Sequence, residues 1–83
     1  MITITIGFAV KERILELCDE NNITVNKLST ICGITQSTLS NIISHRNNST
    51  TVSTIQKICD GLGITICDFF NSEIFHDIEP EIK

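Results

Sequence analysis

Amide and hydroxyl side chains recur at helical spacing between residues 36 and 44. The outward stripe of this segment consists of five uncharged residues: Gln36, Ser37, Ser40, Asn41 and Ser44. A solvent-facing helix usually carries Glu, Lys or Arg, because Ser and Asn are weak helix formers. Gln and Asn amides can pair bidentately with adenine, and Ser hydroxyls can bond several base edges. The pattern indicates a surface that touches nucleobases.

The segment VNKLSTICGITQSTLSNII, residues 25–43, must position this stripe. It predicts two short helices hinged at Gly33, which is a helix-turn-helix pattern. Gly33 closes the first helix because another residue would incur a left-handed backbone penalty there. The Thr35 hydroxyl can begin the second helix, whose residues Leu39, Ile42 and Ile43 face the core.

Hydrophobic periodicity predicts five helices in a chain of 83 residues, which has room for one small core. The predicted ranges are 9–21, 25–32, 36–44, about 51–62 and 66–71, with Thr24 capping the second and Thr51 or Ser53 beginning the fourth. One buried stripe of the first helix consists of Val10, Ile14, Leu17 and Cys18. In the fourth helix Ile55, Ile58, Cys59 and Leu62 form the inward stripe, and Gly-Leu-Gly at 61–63 ends it. The polar segment HRNNSTT at 45–51 is typical of an exposed loop.

These features resemble the phage-repressor and Cro-like helix-turn-helix family of transcriptional regulators, often called XRE-type. The likeness runs from about Phe8 to Phe70 and includes IQKICDGLGITICDFF, which is similar to the family's closing helix pair. A small residue, here Ser29, follows the first buried leucine, Leu28, where the family commonly has Ala. Its hydroxyl therefore needs a local acceptor one turn earlier. The resemblance implies an all-α, compact five-helix, lambda-repressor-like DNA-binding domain.

By the same resemblance, Gln36, Ser37 and Asn41 occupy the family's base-reading positions, and we include Ser40 from the same stripe. Residues at the start of the second helix and after the third would contact phosphates, with helix-end amides adding dipole attraction. The implied phosphate contacts are Thr24, Asn26, Lys27, Thr35, Ser44, His45, Arg46, Asn47 and Asn48. Two positions depart from the family pattern. Val25 replaces a polar residue often used for a phosphate contact, and His45 stands where glycine is frequent.

The net charge of −4 argues against binding to nucleic acid, but the charges are segregated. All ten acidic residues lie at or before Glu20 or at or after Asp60, and residues 21–59 hold only Lys27, Arg46, Lys57 and His45 as basic groups. We expect a locally positive field there and DNA binding that is modest and salt-sensitive. Chance segregation of solvated charges is the alternative.

The two ends lie outside the core resemblance, so we divide the chain into an N-terminal extension (1–7), the helix-turn-helix domain (8–71) and an acidic C-terminal tail (72–83). Strict alternation in residues 2–6 predicts a short strand. Its partner could be a second subunit or the stretch 74–78, and a frayed terminus is the alternative. Surplus apolar surface predicts a dimer contact formed by Phe70, Ile74, Phe75 and Ile78.

The four cysteines have no close C-x-x-C spacing, so neither disulfides nor a metal site is indicated. Cys18, Cys32 and Cys59 fall on apolar helix faces, where a thiol acts as a small hydrophobe. Cys67 falls in the first turn of the last helix, where we expect an inert surface thiol. Without a signal peptide or long apolar run, the chain is expected to be cytoplasmic. No nucleophile motif or ligand-spaced histidine pair is present, so we expect no enzyme and no cofactor.

We therefore expect a sequence-specific regulator that binds double-stranded DNA as a homodimer at a palindromic operator through helix 36–44. The alternative is a protein-interaction module on the same fold, such as an antitoxin-like protein that binds its partner through the acidic, phenylalanine-rich C-terminus.

Overall fold

The computed structural model describes residues 4–44, 50–80 and 82 of the chain. These residues form five α-helices and a final 3₁₀ turn: α1 (Ile6–Glu20), α2 (Val25–Cys32), α3 (Gln36–Ile43), α4 (Val52–Leu62), α5 (Ile66–Phe70) and the turn Glu73–Phe75. Within the described ranges there is no β-strand, and pairing is limited to one isolated bridge. The predicted all-α class and the five helices are confirmed.

The N-cap residue of each of the five α-helices is a threonine, directly before the first helical residue. Each threonine side chain accepts a hydrogen bond from the backbone N–H three residues later, and the capping residues are Thr5, Thr24, Thr35, Thr51 and Thr65. Such a cap satisfies one of the N–H groups that have no partner within the helix. The predicted caps of α2 and α3 are confirmed, and α4 begins after Thr51 rather than at Ser53.

Ile6, the last residue of the alternating stretch 2–6, is helical and not part of a strand as the alternation predicts. Helix α1 begins at Ile6 because the Thr5 hydroxyl accepts from the Phe8 N–H at 3.1 Å and caps the helix. Ile4 forms a parallel bridge with Ile78, in which the Glu79 N–H donates to the Ile4 carbonyl at 2.8 Å. The segment thus pairs with the C-terminal stretch of its own chain. Residues 1–3 of the predicted strand lie outside the described part.

The core collects the apolar stripes of all five helices. Its buried members are Val10, Ile14, Leu17, Cys18, Leu28, Cys32, Leu39, Ile42, Ile55, Ile58, Cys59 and Phe69. The stripes predicted for α1 and α4 are among them, except that Leu62 is half-buried against the core. Burial of about a dozen apolar side chains, at roughly 1.5–3 kcal/mol each, is the main force that holds α3 in place.

Helices α2 and α4 pack closely because Gly61 faces α2. A Cβ at this position would lie 2.5 Å from the Cys32 Sγ and 3.1 Å from the Cys32 Cα. The helix ends one residue after this contact, at Leu62, and Gly63 closes it with a left-handed φ of 71°. The two glycines that the sequence analysis grouped as a helix stop therefore serve different purposes: Gly61 gives close packing and Gly63 gives termination.

Candidate nucleic-acid interface

The hinge between α2 and α3 is closed by Gly33. Its backbone is left-handed, with φ 68° and ψ 31°, and its N–H donates to the Ser29 carbonyl. The Ile34 N–H donates to the same carbonyl at 3.0 Å. No atom lies within 4 Å of a Cβ built at Gly33, so the requirement for glycine here comes from the backbone angle and not from lack of space. The predicted closure is confirmed.

Ser29 is the small residue on the inner side of α2. It is only 3% exposed and follows the fully buried Leu28. Its Oγ donates to the Asn26 carbonyl at 2.7 Å, one turn earlier. The expected local acceptor is therefore present, and a polar group is tolerated here because its hydrogen-bonding capacity is satisfied.

Helix α3 presents its polar stripe to solvent. Gln36, Ser37, Ser40, Asn41 and the following Ser44 are all exposed, whereas Leu39 and Ile42 are buried and Ile43 is half-buried against the core. In the described part of the chain, the side chains of Gln36, Ser37, Ser40 and Asn41 make no hydrogen bond. The structure therefore brings the four predicted base-reading residues together on one free face, with their donors and acceptors available to a ligand.

The predicted phosphate contacts of the described residues lie at the ends of the two helices. Thr24 caps α2 and accepts from the Lys27 N–H at 3.1 Å, and the side chains of Asn26 and Lys27 are exposed in the same first turn. Thr35 caps α3 and donates to the Thr38 hydroxyl, and Ser44 Oγ donates to the Asn41 carbonyl. The remaining predicted contacts lie outside the described residues: His45, Arg46, Asn47 and Asn48.

The first turns of α2 and α3 contain no acidic residue. The partial positive charge at a helix N-terminus is therefore not neutralised by a neighbouring carboxylate at either helix. The first turns of α1 and α4 also lack an acid, whereas α5 has Asp68 in its first turn and the 3₁₀ turn has Glu73. The two helices of the helix-turn-helix unit thus offer N-terminal dipoles to an anion, in addition to the free polar face of α3.

A crevice of about 330 Å³ lies between the start of α2 and the face of α3. Eight of the described residues line it, none of them charged: Val25, Asn26, Ser29, Gln36, Leu39, Ser40, Ile43 and Ser44. Gln36, Ser40 and Ser44 belong to the exposed α3 stripe, and the apolar members are Val25, Leu39 and Ile43. The crevice therefore opens onto the same surface as the predicted base-reading residues.

A family model of the Cro/C1-type helix-turn-helix DNA-binding domain matches residues 13–73, which include α2, α3, α4 and α5 in full. The chain belongs to this family. The crystal structure of the prophage Lp1 protein 11 is similar to it, with 37% identity and a TM-score of 0.78, covering 86% of this chain and 93% of that chain. No curated protein matches the sequence. The resemblance stated from the sequence is confirmed, and the protein is a DNA-binding regulator of the Cro/C1 type.

Arg13 is a structural residue of this Cro/C1-type domain that the sequence analysis missed. It is 8% exposed, and its Nε donates to the Phe69 carbonyl at 2.6 Å while Nη2 donates to the Asp68 carbonyl at 2.8 Å. Nη1 pairs with Glu16. The guanidinium thus joins α1 to the C-terminal end of α5, where a cation is favoured by the helix dipole. Its position three residues after Val10, on the apolar stripe of α1, was the available signal.

The predicted dimer surface is partly used within the chain. Phe75 packs against the core, and its ring centroid lies 4.9 Å from that of Phe70. Ile78 is occupied in the bridge to Ile4, and Ile78 and Ile74 are both half-buried. Phe70 remains 38% exposed. The apolar surplus counted from the sequence is therefore smaller in the folded chain, and its exposed part centres on Phe70.

Cys18, Cys32 and Cys59 are buried, as predicted, and Cys67 is exposed. Burial raises the pKa of each of the three buried thiols above the ordinary value of 9.0. The described residues contain no group of three or more His, Cys, Asp or Glu side chains that could hold a metal ion. None of the helices in the described ranges is long and apolar enough to cross a membrane.

Proposed function

We propose that this Cro/C1-type protein binds a specific, palindromic operator as a homodimer and reads it with the exposed face of α3. The observation that carries the proposal is the free polar stripe of Gln36, Ser37, Ser40 and Asn41, which no neighbouring group of the described chain satisfies. An amide pair on such a face matches the N6 and N7 groups of adenine in the major groove. The two recognition helices of a dimer would enter successive major grooves about 34 Å apart.

Phosphate contacts at the ends of α2 and α3 would fix the register of the protein on the duplex. Lys27 and the caps Thr24 and Thr35 lie at these ends, and the first turns of both helices are free of carboxylates. Such contacts bind all DNA sequences alike and account for the salt dependence of affinity. The proposal therefore separates two groups of residues, one for specificity and one for general affinity.

The test begins with operators selected by the full chain from a random duplex library, followed by fluorescence anisotropy titrations. Gln36→Ala and Asn41→Ala should each reduce discrimination between selected and scrambled duplexes by about 1–3 kcal/mol. Gln56→Ala is the matched control, because Gln56 is exposed on α4 and its amide donates to Asp60 at 2.6 Å. If discrimination survives both α3 substitutions, α3 is not the reading helix.

A second pair of variants tests the phosphate contacts. Lys27→Ala should weaken binding to all duplexes and lower the slope of log affinity against log salt by about 1. Lys11→Ala is the control, because Lys11 lies on α1, is paired with Glu12 at 3.0 Å and stacks over Phe8. An unchanged salt slope for Lys27→Ala would remove Lys27 from the interface.

The proposed dimer would use the exposed apolar surface around Phe70, extended by Ile74, Phe75 and Ile78. Sedimentation of the wild-type chain should show a concentration-dependent dimer, and Phe70→Ser should shift it toward monomer because a 38% exposed aromatic ring is lost. A wild-type chain that stays monomeric both free and on DNA would contradict the dimer. A monomer that ignores DNA would favour the protein-interaction alternative.

A further inference from the structure

The crevice between α2 and α3 has both apolar and polar residues in its lining. Of the apolar ones, Leu39 is fully buried and Val25 and Ile43 are half-buried, and the buried Ser29 already donates its hydroxyl to the Asn26 carbonyl. Gln36 and Ser40, one helical turn apart on α3, contribute polar groups to the same crevice. A concave apolar surface in a polar interface either holds poorly bonded water or receives an apolar group from the ligand.

Duplex DNA displays one apolar group on the base edges of its major groove, the C5-methyl of thymine. We propose that the crevice recognises this methyl group, with Val25 and Ile43 as its specificity-determining contacts. The inference rests on the proposed function, because it assumes that α3 lies in the major groove. Among the described residues no charged side chain lines the crevice, so this part of the lining offers a phosphate group no ion pair.

The crevice adjoins the proposed base-reading stripe of α3, so the proposed methyl contact would lie beside the base that this stripe reads. Gln36 belongs both to the crevice wall and to the free polar stripe, so a base bonded by its amide would lie next to the thymine whose methyl enters the crevice. A methyl group fills only part of the 330 Å³, which leaves room for water that bridges the Ser40 and Ser44 hydroxyls to DNA. Val25 begins α2 directly after the Thr24 cap, which fixes the position of its side chain.

The test replaces each thymine of the selected operator, one at a time, by deoxyuridine, which removes the methyl group and keeps every hydrogen-bonding group of the base edge. For the wild-type chain we expect at least one position in each half-site at which binding weakens roughly fourfold, the effect of exposing one CH₂-sized group. In Val25→Thr, which replaces a methyl by a hydroxyl, the loss at that position should fall below about twofold.

Val52→Thr is the matched control. Val52 is also the first residue of a helix, directly after the Thr51 cap, but it is 73% exposed on α4 and does not line the crevice. This variant should keep the wild-type response to deoxyuridine. Thermal melts of both variants verify folding, and the deoxyuridine series on the wild-type chain tests the proposal even if Val25→Thr is too unstable to use.

The outcomes separate the inference from the function on which it rests. If the chain prefers its selected operator but no deoxyuridine position weakens binding, the methyl contact is refuted and the proposed function stands. If a position is sensitive but responds equally in wild type and Val25→Thr, the methyl is read elsewhere and the crevice assignment is refuted. If no duplex is preferred over another, the proposed function itself fails.

Discussion

Gly61 on α4 faces α2 at a distance that leaves no room for a methyl group. In Gly61→Ala, the new Cβ would lie 2.5 Å from the Cys32 Sγ, 3.1 Å from the Cys32 Cα and 3.1 Å from the Ile31 Cγ2. Because the Cα can move away only with the α2 backbone, we place the overpacking cost at about 3 kcal/mol, the upper end of the usual range. Ala is favoured over Gly in a helix by about 1 kcal/mol. The expected net loss of unfolding free energy is therefore about 2 kcal/mol.

The measurement is urea unfolding followed by far-UV circular dichroism, since the chain contains no Trp or Tyr to report by fluorescence. For a domain of this size, 2 kcal/mol corresponds to a fall in Tm of roughly 8–16 °C. A Gly61→Ala variant as stable as wild type would refute the argument, because the helix-propensity gain would then be acting without opposition from α2.

A double-mutant cycle shows where the cost arises. Cys32→Ala removes the Sγ that lies nearest to the new Cβ, so adding it to Gly61→Ala should restore about 1 kcal/mol relative to the sum of the single changes. Gly63→Ala is the matched control: its cost of about 1–2 kcal/mol comes from the left-handed backbone, because no atom lies within 4 Å of a Cβ there. That cost should add to the cost of Cys32→Ala without coupling, and equal coupling in both cycles would contradict the close-contact explanation.

Two further predictions concern the core. Arg13→Met should lower the unfolding free energy by about 3 kcal/mol in urea titrations, because the carbonyls of Phe69 and Asp68 lose charged hydrogen bonds. Glu16→Gln should cost less than about 1 kcal/mol because Glu16 is half-exposed. Equal losses would contradict the assignment of Arg13 as a structural residue that acts through these carbonyls. Burial raises the pKa of the Cys59 thiol above 9.0, so the unfolded chain loses this proton at a lower pH than the folded chain does. The contribution of the neutral thiol to the free energy of unfolding is therefore complete below pH 9.0 and should fall as the pH rises further. Cys59→Ala should make this fall shallower in urea titrations across that range, and a Cys67→Ser variant that did the same would argue against burial as the cause, since Cys67 is exposed.

The helices could be predicted from the sequence because local signals agree with the packing. Periodic apolar residues gave the buried faces, and Thr24, Thr35 and Thr51 gave three of the five helix starts. Thr5 caps a helix, although the alternation around it is equally compatible with a strand. Ile4 pairs with Ile78, in the stretch 74–78 that was one of the two possible partners, and no local pattern could choose between that stretch and a second subunit.

Interactions between distant residues account for the other differences. Arg13 finds its carbonyl acceptors 55 and 56 positions away, so its role depends on how α1 meets α5 in the folded chain. The crevice similarly depends on the approach of Val25 to Ile43 across the hinge. The exposed stripe of α3, in contrast, follows from helical period alone, which is why its five members were placed correctly.

The positions of the acidic residues explain how a chain with a negative net charge can present an attractive surface to DNA. An acid in the first turn of a helix typically contributes about 0.3–1 kcal/mol, and α5 uses one, since Asp68 completes a capping box with Thr65. Helices α2 and α3 have only neutral threonine caps and no acid in their first turns. The first turns of α1 and α4 also lack an acid, so the caps alone do not distinguish the helix-turn-helix unit. What distinguishes residues 21–59 is that they contain no carboxylate side chain at all. All ten acidic residues lie outside 21–59, where they limit affinity through long-range repulsion but leave the interface free of carboxylates.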